Sequence, residues 1–316
     1  MGKGPGRLGR ALGRLREFAR RPQPPPALPA SERFLYGAAQ PALGLRLVLR
    51  DRELRAAALK PALLLAAFCA FVAMLSDGSF LRRFYQIFAV LAPLPSVIFA
   101  AHYARMAAAV RNQLGFGPVK AKEDPLHVAV YRVIAQAVLV AAGLLPIVLV
   151  LKLVPGLGKP LAQALAGAWA LHWVVIDAYD QARVLKPGET LRSLDRQAEL
   201  TRRPWFVRFF KSAGDGLPGP FGAVFRAFAG IIDRLSKSWR EELALAERHP
   251  ALAAGFALTT GVLLATPVLN LFFRPIILAA SAHLLGHLEK TEQAAPAIEA
   301  APLPLPAVAP LPRVGG

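Results

Sequence analysis

The stretch PALLLAAFCAFVAML, from Pro61 to Leu75, carries no charged side chain. Ala56 to Leu59 extend it at the front, and Lys60 can reach the lipid interface along its aliphatic stem. The extended segment approaches the roughly 20 apolar residues that cross the hydrocarbon core of a bilayer. The sequence therefore predicts a spanning helix near residues 56–75.

Further apolar segments lie near residues 84–101, 128–154, 161–176, 251–271 and 275–288. Pro93 and Pro95 predict a kink in the first of these, because proline cannot donate a helical hydrogen bond. The turn from Pro155 to Pro160 predicts that the next two segments form a helical hairpin. A second hairpin is expected in the last apolar region, which is divided by Pro267, Asn270, Arg274 and Pro275. We predict an all-α integral membrane protein with long spanning helices, two hairpins that span or dip into the bilayer, and amphipathic interfacial helices.

Composition and charge placement favour lipid as the partner of this chain. Hydrophobic residues make up 55% of its 316 residues, above the roughly 45–50% apolar share of soluble domains. A net charge of +18 would also suit nucleic acid. The basic residues, however, crowd just ahead of apolar segments, as Arg50, Arg52, Arg55 and Lys60 do before Pro61. This placement indicates binding to anionic lipid head groups and no nucleic acid.

The chain divides into a basic arm (1–30), a helical membrane domain (31–290) and a Pro-rich tail (291–316). Repeated glycines favour a mostly disordered cytosolic arm, with a short helix lying on anionic lipid as the alternative. The tail is interpreted as disordered or polyproline-like. Residues 177–249 are rich in Lys and Arg and are assigned to the cytosol by the positive-inside rule. An even number of crossings then leaves both termini cytosolic, and the composition suggests a bacterial plasma (inner) membrane.

Aromatic and aliphatic residues recur at helical spacing between Phe221 and Trp239, with basic residues among them. This pattern predicts an interfacial helix within the cytosolic insert. Further interfacial anchors are expected at Trp205, Phe206, Phe209 and Phe210. A packed pair of cytosolic helices explains the same residues equally well.

Ionisable and polar groups at membrane depth are costly in hydrocarbon and often functional. The candidates in this chain are Arg132, His172, Asp177, Asn270 and Arg274. Asp177 and Asp180 are expected to face Arg132 or Lys186 in an ion pair between helices, in preference to a proton relay. Asn270 is expected to satisfy backbone groups exposed by the helix break.

Metal and enzyme chemistry are not predicted. His283 and His287 share a helix face at i and i+4, but the sequence shows neither the glutamate of the zinc-protease pattern nor a third ligand. No nucleophile with a base, and no pair of carboxylates suited to lipid chemistry, is evident. We therefore expect a protein that is not an enzyme and needs no cofactor.

Three stretches of the chain resemble a known membrane family. They are Gly44 to Leu47 ahead of Pro61, Val154 to Gly158 followed by Trp169 and Asp177, and Ala265 to Leu271 followed by Pro275 and Ala279 to Ala282. With this order of elements, residues 31 to 290 are similar to the CysZ-type sulfate permeases and the related etoposide-induced membrane proteins. The basic arm and the Pro-rich tail lie outside the resemblance.

The resemblance implies long spanning helices near residues 45–75 and 84–112 and two hairpins that dip into the bilayer without crossing it. It also implies that Gly44, Leu45 and Arg46 contact the sulfate anion. Free amides at a helix N-terminus together with one guanidinium suit a tetrahedral oxyanion. The alternative is that Arg46 simply faces lipid phosphates.

The leading functional hypothesis is permeation of a small anion, with sulfate as the substrate that the resemblance implies. The main alternative is a non-transporting membrane protein that organises lipids or protein partners through its basic and Pro-rich segments. The sequence leaves open whether the protein forms a homo-oligomer.

Overall fold

The computed structural model describes residues 7–20, 28–91, 95–265 and 267–299. The described chain is almost entirely helical, as predicted, with one two-stranded ladder. The first helices are α1 (Arg7–Phe18), α2 (Ala30–Arg50), α3 (Arg52–Met74), α4 (Phe80–Leu91), α5 (Pro95–Ile98), α6 (Ala100–Gln113), α7 (Leu126–Ala142) and α8 (Leu145–Lys152). The later helices are α9 (Gly158–Gln181), α10 (Leu191–Leu200), α11 (Trp205–Gly216), α12 (Gly219–Ser236), α13 (Arg240–Arg248), α14 (Pro250–Leu264) and α15 (Pro267–Glu299). A 3-10 turn, Lys237–Trp239, joins α12 to α13.

Three helical segments in the described part of the chain are long and apolar enough to cross a membrane. They are Arg52–Met74, Leu126–Lys152 and Gly158–Gln181. These segments contain the predicted apolar stretches near 56–75, 128–154 and 161–176, apart from the last residues of the first two. Large apolar side chains on α3, including Leu63, Phe68 and Phe71, are exposed on its surface. That exposure is typical of a helix that faces hydrocarbon.

The predicted segment 84–101 is not a single helix in the structure. It falls on α4, α5 and the start of α6, and residues 92–94 lie outside the described part. Pro93 and Pro95 stand at this division, where a missing amide and a crowded ring oppose a continuous helix. The described segments from Phe80 to Gln113 are therefore each shorter than a typical spanning helix.

Helix α2 lies at the centre of the fold, packed against α14 and α15. The long helix near residues 45–75 that the resemblance implies is instead divided between α2 and α3. The chain breaks at Asp51, whose Oδ1 caps α3 by accepting from Leu54 N at 2.8 Å. Glycine allows the close packing of α2: a β-carbon on Gly37 would lie 2.1 Å from the Leu252 carbonyl oxygen. Helix α2 therefore forms part of the core of the fold.

The last apolar region divides earlier than predicted. Helix α14 ends at Leu264 and α15 begins at Pro267. Proline suits the first position of a helix, because the backbone N–H that it lacks would have no partner within the helix there. Pro275, in contrast, lies inside α15. The helix continues to Glu299 and so covers the first residues of the Pro-rich tail. Residues 300–316 lie outside the described residues.

The basic arm contains helix α1, which corresponds to the short helix that was the alternative to a disordered arm. Phe18 is buried, with its ring 5.6 Å from that of Tyr36 on α2. Arg14 forms an ion pair with Glu32 at 2.9 Å. These contacts hold the described part of the arm against α2.

Helices α11 and α12 form the packed pair that was one of two explanations for their aromatic residues. Phe206 and Phe210 are buried, whereas Trp205 and Phe209 are partly exposed. On α12 the exposed residues include Phe221, which is 71% exposed, Val224 and Ile231. The pair thus buries one aromatic face and leaves an apolar stripe on its outer surface.

Candidate ion-binding site

A short antiparallel ladder positions the first residue of the candidate site. Strand β1 (Lys120–Ala121) pairs with β2 (Val184–Leu185), with Lys120 opposite Leu185 and Ala121 opposite Val184. Lys122 follows β1 directly, and β2 follows the end of α9. The ladder therefore brings Lys122 beside the last turn of α9.

Asp180, in that last turn, binds two cationic side chains. Lys122 Nζ lies 2.7 Å from Asp180 Oδ1, and Arg132 Nη1 lies 2.9 Å from the same oxygen. Arg132 Nη1 also lies 3.0 Å from Asp124 Oδ2. The side chains of Lys122 and Arg132 are only 6% and 13% exposed. The predicted ion pair between Asp180 and Arg132 is confirmed, whereas Lys186 pairs with Glu289 at 3.2 Å.

A cavity of about 70 Å³ adjoins this network, lined by residues that include Lys122, Arg132, Gln136, Asp177 and Gln181. The Nε atom of Arg132 is buried and has no hydrogen-bond partner among the described residues. A buried guanidinium donor without an acceptor is costly, so a bound water or anion at this position would stabilise the site.

Asp177 also borders the cavity, one turn before Asp180. Its Oδ2 accepts from Gln181 Nε2 at 2.9 Å, and it is attracted by the charge of Arg274 on α15. Two of the predicted membrane-depth residues, Arg132 and Asp177, therefore border the same cavity. The side chain of Asn270 lies outside the described residues.

Sequence reasoning missed Lys122, Asp124 and Arg183 as parts of the network. Arg183 donates to Glu242 at 2.8 Å and also binds Glu241, which ties α13 to the end of α9. Lys122 and Asp124 lie in a charged stretch between two apolar segments of the sequence. These charges are visible in the sequence, but the pairing of two-residue strands that positions them is not.

The structure does not give Gly44, Leu45 and Arg46 the predicted anion-site geometry. They lie within α2, far from its first turn, so their amides are not the free donors of a helix N-terminus. A β-carbon on Gly44 would lie 2.2 Å from the Ile276 carbonyl oxygen, which identifies Gly44 as a packing residue against α15. Arg46 Nη1 donates to the Arg20 carbonyl oxygen at 3.3 Å, and Leu45 is exposed.

His172 belongs to an aromatic cluster and not to the ion network. Its ring stacks on Trp169 at 5.7 Å. Trp169 in turn contacts Trp173 at 5.7 Å and Trp205 at 6.3 Å, and Trp173 contacts Trp239 at 5.6 Å. The cluster joins α9 to α11 and to the 3-10 turn, next to the ion network.

His283 and His287 lie face to edge with ring centroids 4.5 Å apart. His283 Nδ1 lies 2.9 Å from Gln40 Oε1 in the core, and the His287 ring contacts Phe116 at 4.8 Å. No group of three or more His, Cys, Asp or Glu side chains within the described ranges is placed to hold a metal ion. The two histidines are thus engaged in packing of α15 against α2 and against the turn that follows α6.

No protein-family model matches the chain, and neither curated proteins nor solved structures give a match. The function is therefore argued from the residues themselves.

Proposed function

We propose that this protein is a multi-pass membrane protein that carries a small anion across the bilayer, and that the anion binds at the Lys122–Arg132 cavity. The observation that carries the proposal is the Nε of Arg132, a buried cationic donor that has no partner among the described residues and adjoins a small cavity. Sulfate is the first substrate to test, because it is the one that the resemblance to CysZ-type permeases implies.

The network suits reversible binding of an anion. Asp180 and Asp124 already bind Lys122 and Arg132, so an arriving anion would compete with these carboxylates for the two cations. Arg132 would offer its planar donors to the oxyanion, and Lys122 would act as a point charge. The cavity lies near the end of α9 and the beginning of α7, at the side where the chain enters the cytosolic insert.

Sulfate flux into proteoliposomes tests this proposal. Lys122→Gln should lower the flux about tenfold or more, since a charge-assisted hydrogen bond contributes ~1.5–3 kcal/mol. Lys122→Arg should keep part of the activity because the positive charge remains. Lys120→Gln is the matched control, because Lys120 is exposed and two residues away.

Circular dichroism of each purified variant separates loss of flux from loss of fold. Wild-type vesicles that take up sulfate no faster than empty vesicles would refute transport of this anion. Equal losses in Lys120→Gln and Lys122→Gln, with both variants folded, would refute the assignment to the cavity.

The topology belongs to the same proposal: both termini and residues 177–249 lie in the cytosol of a bacterial inner membrane, and the α8–α9 hairpin dips into the bilayer. In a Cys69→Ala background, a cysteine at Arg192 should resist an impermeant thiol reagent in intact cells. A cysteine at Leu157 should react more slowly than one at Asp77, although both positions are exposed in the structure. Labelling at Arg192 would overturn the orientation, and equal rates at Leu157 and Asp77 would favour a full crossing.

The alternative function, organisation of lipids or partner proteins without transport, is favoured by the apolar stripe on α12. Phe221, Val224 and Ile231 lie on one helix face and are exposed there. A photoreactive amino acid at Phe221 should give protein adducts in cells if this surface holds a partner, whereas the same group at the exposed Arg192 should not. Protein adducts at Phe221 combined with absent sulfate flux would select this function over transport.

A further inference from the structure

A second cavity lies away from the ion network, between α9, α13 and α14. It is a cleft of about 520 Å³, within the roughly 300–1,000 Å³ range of small-molecule sites. Its walls are mainly short apolar side chains, among them Ala168 on α9 and Ala254 and Ala257 on α14. Helix α9 is long and apolar enough to cross a membrane, and α14 is a shorter apolar helix.

One end of the cleft is polar. There Glu247 accepts from the backbone N–H of Trp205 at 2.7 Å and from Arg208 Nη2 at 3.1 Å. His172 also lines the cleft, and its Nε2 has no hydrogen-bond partner among the described residues. Arg208 does not line the cleft, but its bond to Glu247 places its guanidinium beside this end. An apolar cleft thus ends at one polar atom, His172 Nε2, for which the described residues supply no partner.

The geometry points to a phospholipid of the adjacent leaflet as the occupant. Its acyl chain would lie along the alanine-lined walls, and an ester carbonyl would meet His172 Nε2. Arg208 would attract the phosphate, as guanidinium groups commonly do. Trp205 lies at the same end, and tryptophan is enriched where lipid head groups meet hydrocarbon. The site is independent of the proposed anion cavity.

The test uses a phosphatidylglycerol that carries a diazirine in its acyl chain, reconstituted with the full-length protein and mapped by mass spectrometry after illumination. Adducts should concentrate on residues 168–175 and 250–257, which line the cleft. Ala168→Trp should lower these adducts roughly tenfold by filling the cleft. The control is Ala166→Trp, also exposed on α9 but not a lining residue.

His172→Phe keeps a ring against Trp169 but removes the nitrogen, so adducts should fall about three- to tenfold, in line with one hydrogen bond. His172→Gln should recover part of the loss. Unchanged cleft adducts in Ala168→Trp would overturn the proposal, as would adducts spread evenly over the outer faces of α9 and α14. If the wild-type protein is a dimer and Ala168→Trp dissociates it while the lipid adducts stay unchanged, the cleft would be assigned to a second copy of the chain. Preferential labelling of the cleft by a diazirine fatty acid would overturn the phospholipid proposal and identify the ligand as a fatty acid.

Discussion

Arg46 and Arg132 both interrupt apolar sequence, yet the fold places them in opposite environments. Arg46 is partly exposed on α2 and donates to one backbone oxygen, of Arg20, at 3.3 Å. Arg132 is largely buried and lies between Asp180 and Asp124 at 2.9 and 3.0 Å. Arg46 belongs to a short sequence motif, Gly44 to Arg46, that can be recognised in the sequence alone. Its counterpart Arg132 binds Asp180, which lies far from it along the chain. A charged residue therefore gains a binding site from its tertiary partners more than from its neighbours in sequence.

The largest effect is expected when the shared carboxylate of the Arg132 network is removed. Asp180→Asn leaves Lys122 and Arg132 short of a negative partner, and breaking a buried ion pair typically costs about 3–5 kcal/mol. Asp215→Asn is the control, because Asp215 forms an exposed ion pair with Arg226 at the longer distance of 4.0 Å. Unfolding in detergent, followed by circular dichroism, measures both. If Asp180→Asn and Asp215→Asn lose similar stability, the buried Asp180 ion pairs contribute no more than the exposed Asp215 pair.

The second largest effect is expected for the packing of α2 at Gly44, two residues before Arg46. Gly44→Ala forces a methyl group against the Ile276 carbonyl oxygen, and overpacking of this kind costs about 1–3 kcal/mol. Gly167→Ala, on a surface with open space around it, should be neutral or stabilising because alanine favours helix. The same unfolding measurement applies. A Gly44→Ala variant as stable as the wild type would reopen a role for this glycine other than packing.

A smaller effect is expected for anion affinity at Arg46. If the guanidinium contacted sulfate in the way that the Gly-Leu-Arg stretch suggested, Arg46→Ala would weaken binding roughly 10- to 100-fold. Its helical amides and partly exposed side chain instead lead us to expect a change no greater than that of Arg50→Ala. Calorimetric titration with sulfate compares the two. A loss specific to Arg46→Ala would return the anion site to α2.

The smallest effect concerns an exposed pair that lies outside both sites. A hydrogen bond from Lys237, at 2.5 Å, holds the pKa of Glu199 below its ordinary value. A lowered carboxyl pKa adds stability above the ordinary pKa, and this contribution is lost as the pH falls through the lowered value. Wild type and Glu199→Gln should therefore differ slightly near neutral pH and converge in acid. The stability of both variants across this pH range is the measurement, and a difference that grows in acid would contradict the ion pair.

The apolar segments were predictable from their length and lack of charge, and three helical segments in the described ranges are long and apolar enough to cross a membrane. The break at Asp51 and the core position of α2 were not predictable, since Gly37 and Gly44 become informative only once α14 and α15 face them. The pair Arg132–Asp180 was foreseen from the cost of charge at membrane depth. Lys122 was not, because its place depends on the β1–β2 ladder, which is too short to leave a periodic signal.

The four tryptophans of the chain are Trp169, Trp173, Trp205 and Trp239, and the structure places all of them in the one aromatic cluster beside the ion network. Their intrinsic fluorescence should therefore report on a single region of the molecule. Anion addition that alters the network should change the emission without any attached dye, because Trp239 borders the same cavity as Arg132. Events confined to the α3–α4 pair should leave that optical signal almost unchanged.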